Sequence, residues 1–453
     1  MKKVLLVTYH FPPDPAVGAV RPAKFAKYLR EVGWEPIVLT VKEKYYDGLD
    51  KSLLSDANGM LPMVIRTGML RNPSFYYRKL KRVLRMDQGT LNGKRSLSPK
   101  EEENSRIGIR QSISSFLSFP DEQAEWLPFA LVSGMKVIRR EGIGVLMTSG
   151  PPHSVHLIGA CLSKMSRIPW IADFRDPWSD NCLDQPQDRL ELSHRLALRL
   201  EAWLVSRAAL AITTTERFAL RLRSRFPEYQ DKIVTIPNGY DPDEFSNIPR
   251  RKEKRFTISY VGSIYHNRNP EPVFHVLSEL LQENVVDPNR LAIRFLGHCN
   301  QAAGKAMNLL ISQYGLTGIV EVLPWLPRHQ ALEMMVRSHV LLLLAEDQPL
   351  QVPGKVYDYL GAGSDILAIT GDGATADVFR ETGAGVVVPP GDQQALKGTI
   401  RALYTRYLGS GQDDRDRSSL EDTPPTKYSR RHLTEVLVGH LEKVCYKCSE
   451  KRQ

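Results

Sequence analysis

Residues 340–363 read VLLLLAEDQPLQVPGKVYDYLGAG, and they give the clearest indication of the fold class. The run from Val340 to Leu344 is continuously apolar, which is typical of a strand buried on both faces of a parallel sheet. A polar loop follows, and Pro353 then marks a helix start, because proline lacks the N–H that would stay unsatisfied there. The stretch therefore predicts a strand–loop–helix unit of an α/β protein.

Lys355 and Asp358 lie three residues apart near the start of this predicted helix, so they share one of its faces. A helix N-terminus presents free N–H groups and a partial positive charge, to which Lys355 adds a full charge. The pattern indicates an anion site suited to a diphosphate, with Asp358 placed to accept hydrogen bonds from ribose hydroxyls. The alternative is that both are ordinary solvated residues on a helix surface.

The same alternation of strand and helix extends to both sides of this unit. Strands are predicted at residues 4–8, 34–40, 144–148, 169–173, 211–214 and 232–236, and after a polar boundary at 256–261, 291–296, 319–323, 340–344, 365–370 and 385–388. Helical patterns between them are typical of parallel sheets covered by helices on both faces. The predicted fold is α/β, with two Rossmann-like doubly wound domains facing a cleft as the default ligand site. Their predicted bounds are 1–240 and 256–408, followed by a linker at 409–426 and a C-terminal helix and tail at 427–453.

The composition is that of a globular protein, with 42% hydrophobic and 25% charged residues among 453. No apolar run approaches the roughly 20 residues of a membrane span. Five cysteines, an odd number, predict a reducing compartment without a disulfide framework. Cys445 and Cys448 form one CxxC in a polar tail, a weak zinc or redox signal that is more simply incidental. The sequence predicts a cytoplasmic protein.

The net charge of +10 is concentrated in a predicted basic insertion at about residues 66–110, which holds twelve basic and four acidic residues. Within it, residues 75–86 (FYYRKLKRVLRM) mix aromatic and aliphatic side chains with five cations. At helical spacing this pattern favours contact with an anionic membrane surface. Nucleic acid is not expected as a partner, because no recognised binding module accompanies the patch. A solvated, partly disordered insertion is the alternative.

The order of these motifs resembles the GT-B glycosyltransferases, and within them the retaining family-4 enzymes that use nucleotide-sugars. FPP followed by Gly18 and Arg21 resembles the family's glycine loop, which approaches the donor phosphate or the acceptor. SYVGSIYHNR, at residues 259–268, resembles the loop that holds the diphosphate, and IPNGYDPDEF, at 236–245, the segment before the second domain. VPGKVYDYLGAG resembles the donor-binding helix. The matching donor-site residues are Gly262, Ser263, Arg268, Gly354 and Lys355 for the diphosphate and Asp358 for the ribose.

The sequence departs from the family pattern at two places. Many members carry two glutamates eight positions apart at the donor helix, where this chain has Leu350 and Asp358. Glu346 or Asp347 could replace the first carboxylate from the preceding loop. The position after Gly262 is serine rather than the usual arginine, which leaves Arg268 as the cation of that loop.

Transfer of a sugar from a diphosphate needs positive charge on the departing group and a pocket for an oxocarbenium-like sugar. Lys355, Arg268 and the helix N–H groups would supply that charge, so neither a metal nor another cofactor is expected. The candidate catalytic residues are Asp176, His153 and Arg175, all of which follow predicted strand ends. The structural alternative pairs Asp176 with Arg175 and packs His153 beside the prolines that precede it.

The resemblance implies a glycosyltransferase of the retaining hexosyltransferase type that moves a sugar from a nucleotide-diphosphate donor to a glycan or lipid-linked acceptor. It also implies a role in bacterial surface polysaccharide synthesis at the inner face of the membrane. A nucleotide-sugar epimerase on the same scaffold is an alternative, because a fold does not fix a function. A non-catalytic nucleotide-sugar-binding protein is another, suggested by the missing first glutamate. The sequence leaves the base, the sugar, the acceptor and the linkage open.

Overall fold

The computed structural model describes residues 1–51, 53–54, 62–70, 120–181, 187–265, 268–346, 348–409 and 424–450. The chain divides into two compact units. Unit 1 consists of Met1–Ile212, Asp231–Ile233 and Val438–Gln453, and unit 2 of Thr213–Gln230 and Val234–Leu437. The segment at 75–86 that is predicted to contact a membrane, and Asp347, lie outside the described residues.

The first sheet has seven strands in the order β3-β2-β1-β4-β5-β6-β7. The strands are β1 Lys2–Thr8, β2 Trp34–Val41, β3 Met63–Thr67, β4 Val145–Gly150, β5 Trp170–Phe174, β6 Leu210–Thr213 and β7 Ile233–Thr235. The helices along this part of the chain are α1 Val20–Glu31, α2 Leu127–Glu141, α3 Ser154–Ser166, α4 Trp178–Asn181 and α5 Gln187–Arg207. Neighbouring strands from β3 to β5 pair in parallel, as the alternation of strands and helices predicts.

The second sheet has six strands in the order β12-β9-β8-β13-β14-β15, and all of its pairs are parallel. They are β8 Phe256–Val261, β9 Leu291–Leu296, β12 Val320–Leu323, β13 Val340–Leu344, β14 Asp365–Ile369 and β15 Gly385–Val388; a small hairpin adds β10 Gln301–Ala302 and β11 Lys305–Ala306. The later helices are α6 Glu216–Arg225, α7 Glu271–Gln282, α8 Met307–Gln313, α9 Arg328–Arg337, α10 Gly354–Ala362, α11 Ala374–Thr382, α12 Gln393–Gly409 and α13 Arg430–Glu450. The prediction of an α/β fold with two Rossmann-like domains is confirmed.

Strand β3 was not predicted. Residues 63–67 (MVIRT) pair in parallel with β2, with Thr40 opposite Arg66. The guanidinium of Arg66 donates to the carbonyl of Val41 at 3.3 Å. Arg66 and Thr67, at which the predicted basic insertion of about 66–110 begins, are therefore part of the sheet.

Each sheet contains one point at which the order of its strands reverses. In the first sheet this point lies between β1 and β4, and in the second between β8 and β13. Loops that leave such a pair of strands run in opposite directions, which opens a crevice at the carboxyl ends of the strands. The two sheets therefore predict one ligand-binding crevice in each unit.

The crevice of unit 2 is widened by a side chain from α10. Strands β8 and β13 pair only at Ile258 with Val340 and at Ser259 with Leu341. Beyond these pairs the hydroxyl of Tyr359 accepts a hydrogen bond from the Val261 N–H (3.0 Å) and donates one to the Leu342 carbonyl (3.1 Å). The phenol thus takes the place of a direct ladder bond and satisfies both backbone groups in the buried sheet.

No helix in the described part of the chain is both long enough and apolar enough to cross a membrane.

Candidate functional site

Two glycines line the crevice of unit 2. Gly262 follows β8 and Gly297 follows β9, with φ values of +120° and +115°. Such backbone conformations favour glycine, because a Cβ would be strained there. A Cβ on Gly297 would lie 3.1 Å from the carbonyl of Gly262, and a Cβ on Gly262 would lie 2.9 Å from Nζ of Lys355. The absence of a side chain at Gly262 therefore leaves space for the amine of Lys355.

Lys355 brings a buried amine to this crevice from the first turn of α10. Its Nζ lies 3.8 Å from the ring centroid of Tyr260 and has no hydrogen-bond partner among the described residues. Burial, with a further contribution from the charge of Arg268, lowers the pKa of Lys355 to about 7. A buried ammonium without a counter-ion is costly, and an anion beside it would remove that cost.

The N-terminus of α10 lies directly before this amine. Pro353 is the N-cap residue, and no side chain caps the helix. The first N–H groups of a helix have no partners within it, and together they attract an anion. Lys355 and these backbone donors can therefore act on the same negatively charged group.

The loop after β8 is held by its own side chains. The Tyr260 hydroxyl donates to the carbonyl of Ser263 at 2.9 Å, and Arg268 Nη1 donates to the same carbonyl at 3.2 Å. The Arg268 guanidinium also lies 4.0 Å from the ring centroid of Tyr265. The structure thus brings Arg268, Ser263, Gly262 and Lys355 into one electropositive region, although their ligand contacts stay predictions.

Asp358 takes part in an ion-pair network that the sequence did not reveal. Arg328 Nη2 lies 2.9 Å from the Asp358 carboxylate and 2.6 Å from that of Glu244. Although burial opposes the charge, Asp358 and Glu244 raise the pKa of Arg328. Two carboxylates on one guanidinium leave a net negative charge, and the Asp358 side chain is 19% exposed, so it can still accept a hydrogen bond from a ligand hydroxyl.

The structure does not test whether Glu346 or Asp347 replaces the missing first glutamate of the donor-binding helix. Glu346 lies two residues beyond the end of β13 and is half-buried, while Asp347 is not among the described residues. The carbonyl of Leu350, which occupies the position of the missing glutamate, accepts a hydrogen bond from Thr215 Oγ1 at 2.6 Å.

Arg175 contacts two backbone segments at the crevice of unit 1, the glycine loop and the end of β4 with the residue that follows it. Its Nε donates to the carbonyl of Gly150 at 3.1 Å, and its two terminal nitrogens donate to the carbonyls of Gly18 and Pro151. A Cβ on Gly18 would lie 2.8 Å from Arg175 Nη1. Burial lowers the pKa of Arg175, while Asp173 and Asp176 oppose this shift. Arg175 therefore fixes the glycine loop against the loop after β4.

Arg21 does not point to solvent but forms a buried ion pair. Its guanidinium donates to both carboxylate oxygens of Asp173, at 3.0 and 2.8 Å, and the two side chains are 2% and 0% exposed. Ser149 adds a hydrogen bond to Asp173 at 2.7 Å. The pair ties the first turn of α1 to the ends of β4 and β5.

Two histidines follow β4. His153 stacks on Trp178 with ring centroids 4.8 Å apart, and its buried Nδ1 has no partner among the described residues. His156 Nδ1 lies 2.8 Å from Thr148 Oγ1. Burial lowers the pKa of His153 well below its ordinary value and that of His156 to about 3. Both imidazoles are therefore neutral near pH 7, and His153 retains a nitrogen for a ligand.

No group of three or more His, Cys, Asp or Glu suited to hold a metal is found within the described residues. The candidate sites combine cations, backbone donors, neutral imidazoles and the carboxylate of Asp358.

Two family models match this sequence. The model "Glycosyltransferase Family 4" matches residues 94–244, and the model "Glycosyl transferases group 1" matches residues 241–416. The 2-deoxystreptamine glucosyltransferase of Streptomyces kanamyceticus is 25% identical over 293 residues, which cover 61% of this chain and 72% of that protein.

Solved structures with the same fold cover nearly the whole chain. A glycosyltransferase from Rickettsia africae has a TM-score of 0.61 at 12% identity and covers 98% of both chains. Anabaena Alr3699/HepE in complex with UDP has a TM-score of 0.61 at 12% identity and covers 98% of this chain and 100% of its own. Sucrose-phosphate synthase from Thermosynechococcus elongatus has a TM-score of 0.60 at 13% identity, covering 99% and 100%.

Proposed function

Because this chain belongs to the GT-B glycosyltransferases of the family-4 type, we propose that it moves a sugar from a nucleoside-diphosphate donor to a glycan or lipid-linked acceptor. The observation that carries the donor assignment is the buried Lys355 amine, which has no partner among the described residues and lies at the crevice of unit 2. A diphosphate supplies the negative charge that this position lacks.

We assign the diphosphate to Lys355, the backbone of Gly262 and the N-terminus of α10, with Arg268 as a second cation. These groups oppose the negative charge that develops on the departing diphosphate during transfer. Because the chain's own groups supply this charge, we propose a transfer that needs no metal. The proposal of a retaining transfer rests on the likeness to the family-4 enzymes. Full activity in the presence of a chelator is the expected result.

A uridine diphosphate sugar is the first donor to test. The Anabaena protein is described in complexes with UDP and with UDP-glucose, and the Streptomyces relative is named as a glucosyltransferase. These names support a hexose donor for this chain. On the acceptor side, His153 and Asp176 are proposed to contact the sugar or the acceptor. Arg175 is proposed to position His153, because its guanidinium donates to the carbonyls of Gly150 and Pro151 in the segment that leads to His153.

Incubation of the protein with labelled nucleotide-sugars tests this assignment. We expect slow hydrolysis of one donor without an acceptor, and faster release of the nucleoside diphosphate when a glycan or lipid-linked acceptor is added. An isomerised sugar without release would indicate the epimerase alternative. Binding without either reaction would indicate the non-catalytic alternative.

Asp358→Asn should reduce the preference for ribonucleoside over deoxyribonucleoside diphosphates by about tenfold, because a charged hydrogen bond to a hydroxyl contributes about 1.5–3 kcal/mol. Calorimetric titration of both nucleotides measures this preference. Glu244→Gln is the matched control, since it removes the other carboxylate from Arg328 and leaves Asp358 in place. A wild type without ribose preference, or equal losses in the two variants, would refute the assignment.

The basic insertion is proposed to bring the enzyme to an anionic membrane, where a lipid-linked acceptor for surface polysaccharide synthesis would lie. Each cation near such a surface contributes about 1 kcal/mol, and the attraction is screened over ~8 Å at physiological salt. We expect the protein to pellet with anionic vesicles at low salt and less at high salt. A variant with Arg78, Lys79, Lys81, Arg82 and Arg85 changed to Ser should pellet less; equal pelleting would refute the proposal.

A further inference from the structure

Unit 2 contains a cavity of about 640 Å³ at the amino edge of its sheet. It is bounded by the segment at 249–257, which leads into β8, by Arg294 of β9, and by Glu333 and Arg337 near the end of α9. Gly262 lies five residues beyond Thr257 along β8, about 16 Å at the rise of a strand. The cavity is therefore separate from the crevice that holds Lys355.

The lining of this cavity is strongly cationic. Six of its ten lining residues are Lys or Arg and two are Glu; Glu321, which lies 3.3 Å from Arg294 and 3.9 Å from Arg255, offsets one more charge and leaves three positive charges in excess. Arg294 and Arg337 lie 3.1 and 3.2 Å from the carboxylate of Glu253, which they share. The side chains of Arg251 and Lys254 are exposed and have no ion-pair or hydrogen-bond partner among the described residues.

These cations are held on a fixed backbone. The amine of Lys252 donates to the carbonyls of Val336 (3.0 Å) and Ser338 (2.8 Å). The N–H of Glu253 donates to the carbonyl of Arg337 at 3.0 Å, and the Tyr407 hydroxyl donates to that of Lys254 at 2.8 Å. Positive groups held close together repel one another, and an anion placed among them would relieve this repulsion without a cost in backbone entropy.

We propose that this cavity is a second anion-binding site, which takes a small molecule with two or more phosphate or carboxylate groups. The concave shape and the volume are those of small-molecule sites rather than of a flat bilayer contact. Arginine and lysine are the side chains that pair best with phosphate and carboxylate oxygens. Arg251 and Lys254 contact the ligand, while Arg294 and Arg337 add to the positive potential.

Titration calorimetry with tripolyphosphate tests this site. Because tripolyphosphate would also occupy the donor site, the background is Lys355→Ala. In that background we expect tripolyphosphate to bind, and the added pair Arg251→Ser and Lys254→Ser to weaken binding at least tenfold. The matched control, Arg401→Ser with Lys443→Ser, removes two exposed cations that do not line the cavity and should leave the affinity within twofold.

Three outcomes would overturn the proposal. One is the absence of tripolyphosphate binding in the Lys355→Ala background. Another is an equal loss of affinity in the test and control pairs, which would indicate an effect of net charge alone. The third is a test pair that binds tripolyphosphate normally but no longer pellets with anionic vesicles, which would assign these cations to a membrane surface. Circular dichroism of each variant establishes that it is folded. The same titration with citrate shows whether the site also takes carboxylate groups.

Discussion

Lys355→Ala should weaken binding of the nucleoside diphosphate by about 10- to 150-fold, which corresponds to the 1.5–3 kcal/mol of a charge-assisted hydrogen bond. The Lys355 amine lies against Gly262 and over Tyr260 with no partner among the described residues, so the diphosphate would be its counter-ion. Calorimetry with the donor that emerges from the labelled screen measures the loss. An unchanged dissociation constant would remove Lys355 from the site.

The affinity for the donor should fall as the pH rises and the same amine, that of Lys355, loses its proton. The pKa of Lys355 is about 7 in the free protein, and a bound diphosphate would raise it. Its contribution to affinity is therefore complete below about pH 7 and is lost as the pH rises through the higher pKa of the complex. Lys355→Arg should bind with little pH dependence in this range, because arginine stays protonated. An equal slope in the wild type and in Lys355→Arg would contradict the assignment.

Arg21→Met should lower the free energy of unfolding of unit 1 by about 3–5 kcal/mol, because it leaves the carboxylate of Asp173 buried without its cation. Of its hydrogen bonds to described residues, Asp173 would keep the one from Ser149, in a position where its side chain is fully buried. Urea unfolding followed by tryptophan fluorescence is well suited to this measurement. Five of the six tryptophans lie in unit 1, so the signal reports chiefly on that unit.

The double variant Arg21→Met with Asp173→Leu is the control for this prediction. Replacement of both charged groups by apolar ones of similar size is often neutral, whereas removal of one is not. The double variant should therefore recover most of the lost stability. A single variant that loses less than about 1 kcal/mol would show that water reaches Asp173, and that the pair is not a structural element of the glycine loop.

The sequence predicted the central strands closely and the edge of the first sheet poorly. Residues 340–344 are a continuous apolar run, residues 256–261 (FTISYV) and 291–296 (LAIRFL) are mostly apolar, and the structure confirms the bounds of all three strands. Strand β3, with the sequence MVIRT, is short, partly exposed and followed by a long basic stretch. Its strand character depends on pairing with β2, which no local pattern shows.

The features of the candidate site that follow from the order of strands and helices were predictable from the sequence. The contacts between side chains that are distant in sequence were not. Gly262 and Lys355 follow strands that a doubly wound sheet places side by side, so their proximity was implied by the alternation of elements. The contacts of Arg328 join residues 84 and 30 positions away in sequence. Arginine at the start of a helix gives no signal of such partners. The hydrogen bonds from Arg175 to three backbone carbonyls also could not be predicted from its local sequence, residues 173–178 (DFRDPW).

The hydroxyl of Tyr359 has a consequence for the design of altered enzymes. It lies between β8 and β13 at the point where they separate, so the spacing of the two strands beside Gly262 is set by the two hydrogen bonds of a single hydroxyl oxygen. The loops that would recognise the base and the sugar lie outside this span. Those loops could therefore be exchanged to change the donor preference. The crevice beside Gly262 and Lys355 would keep its width, provided that Tyr359 is retained.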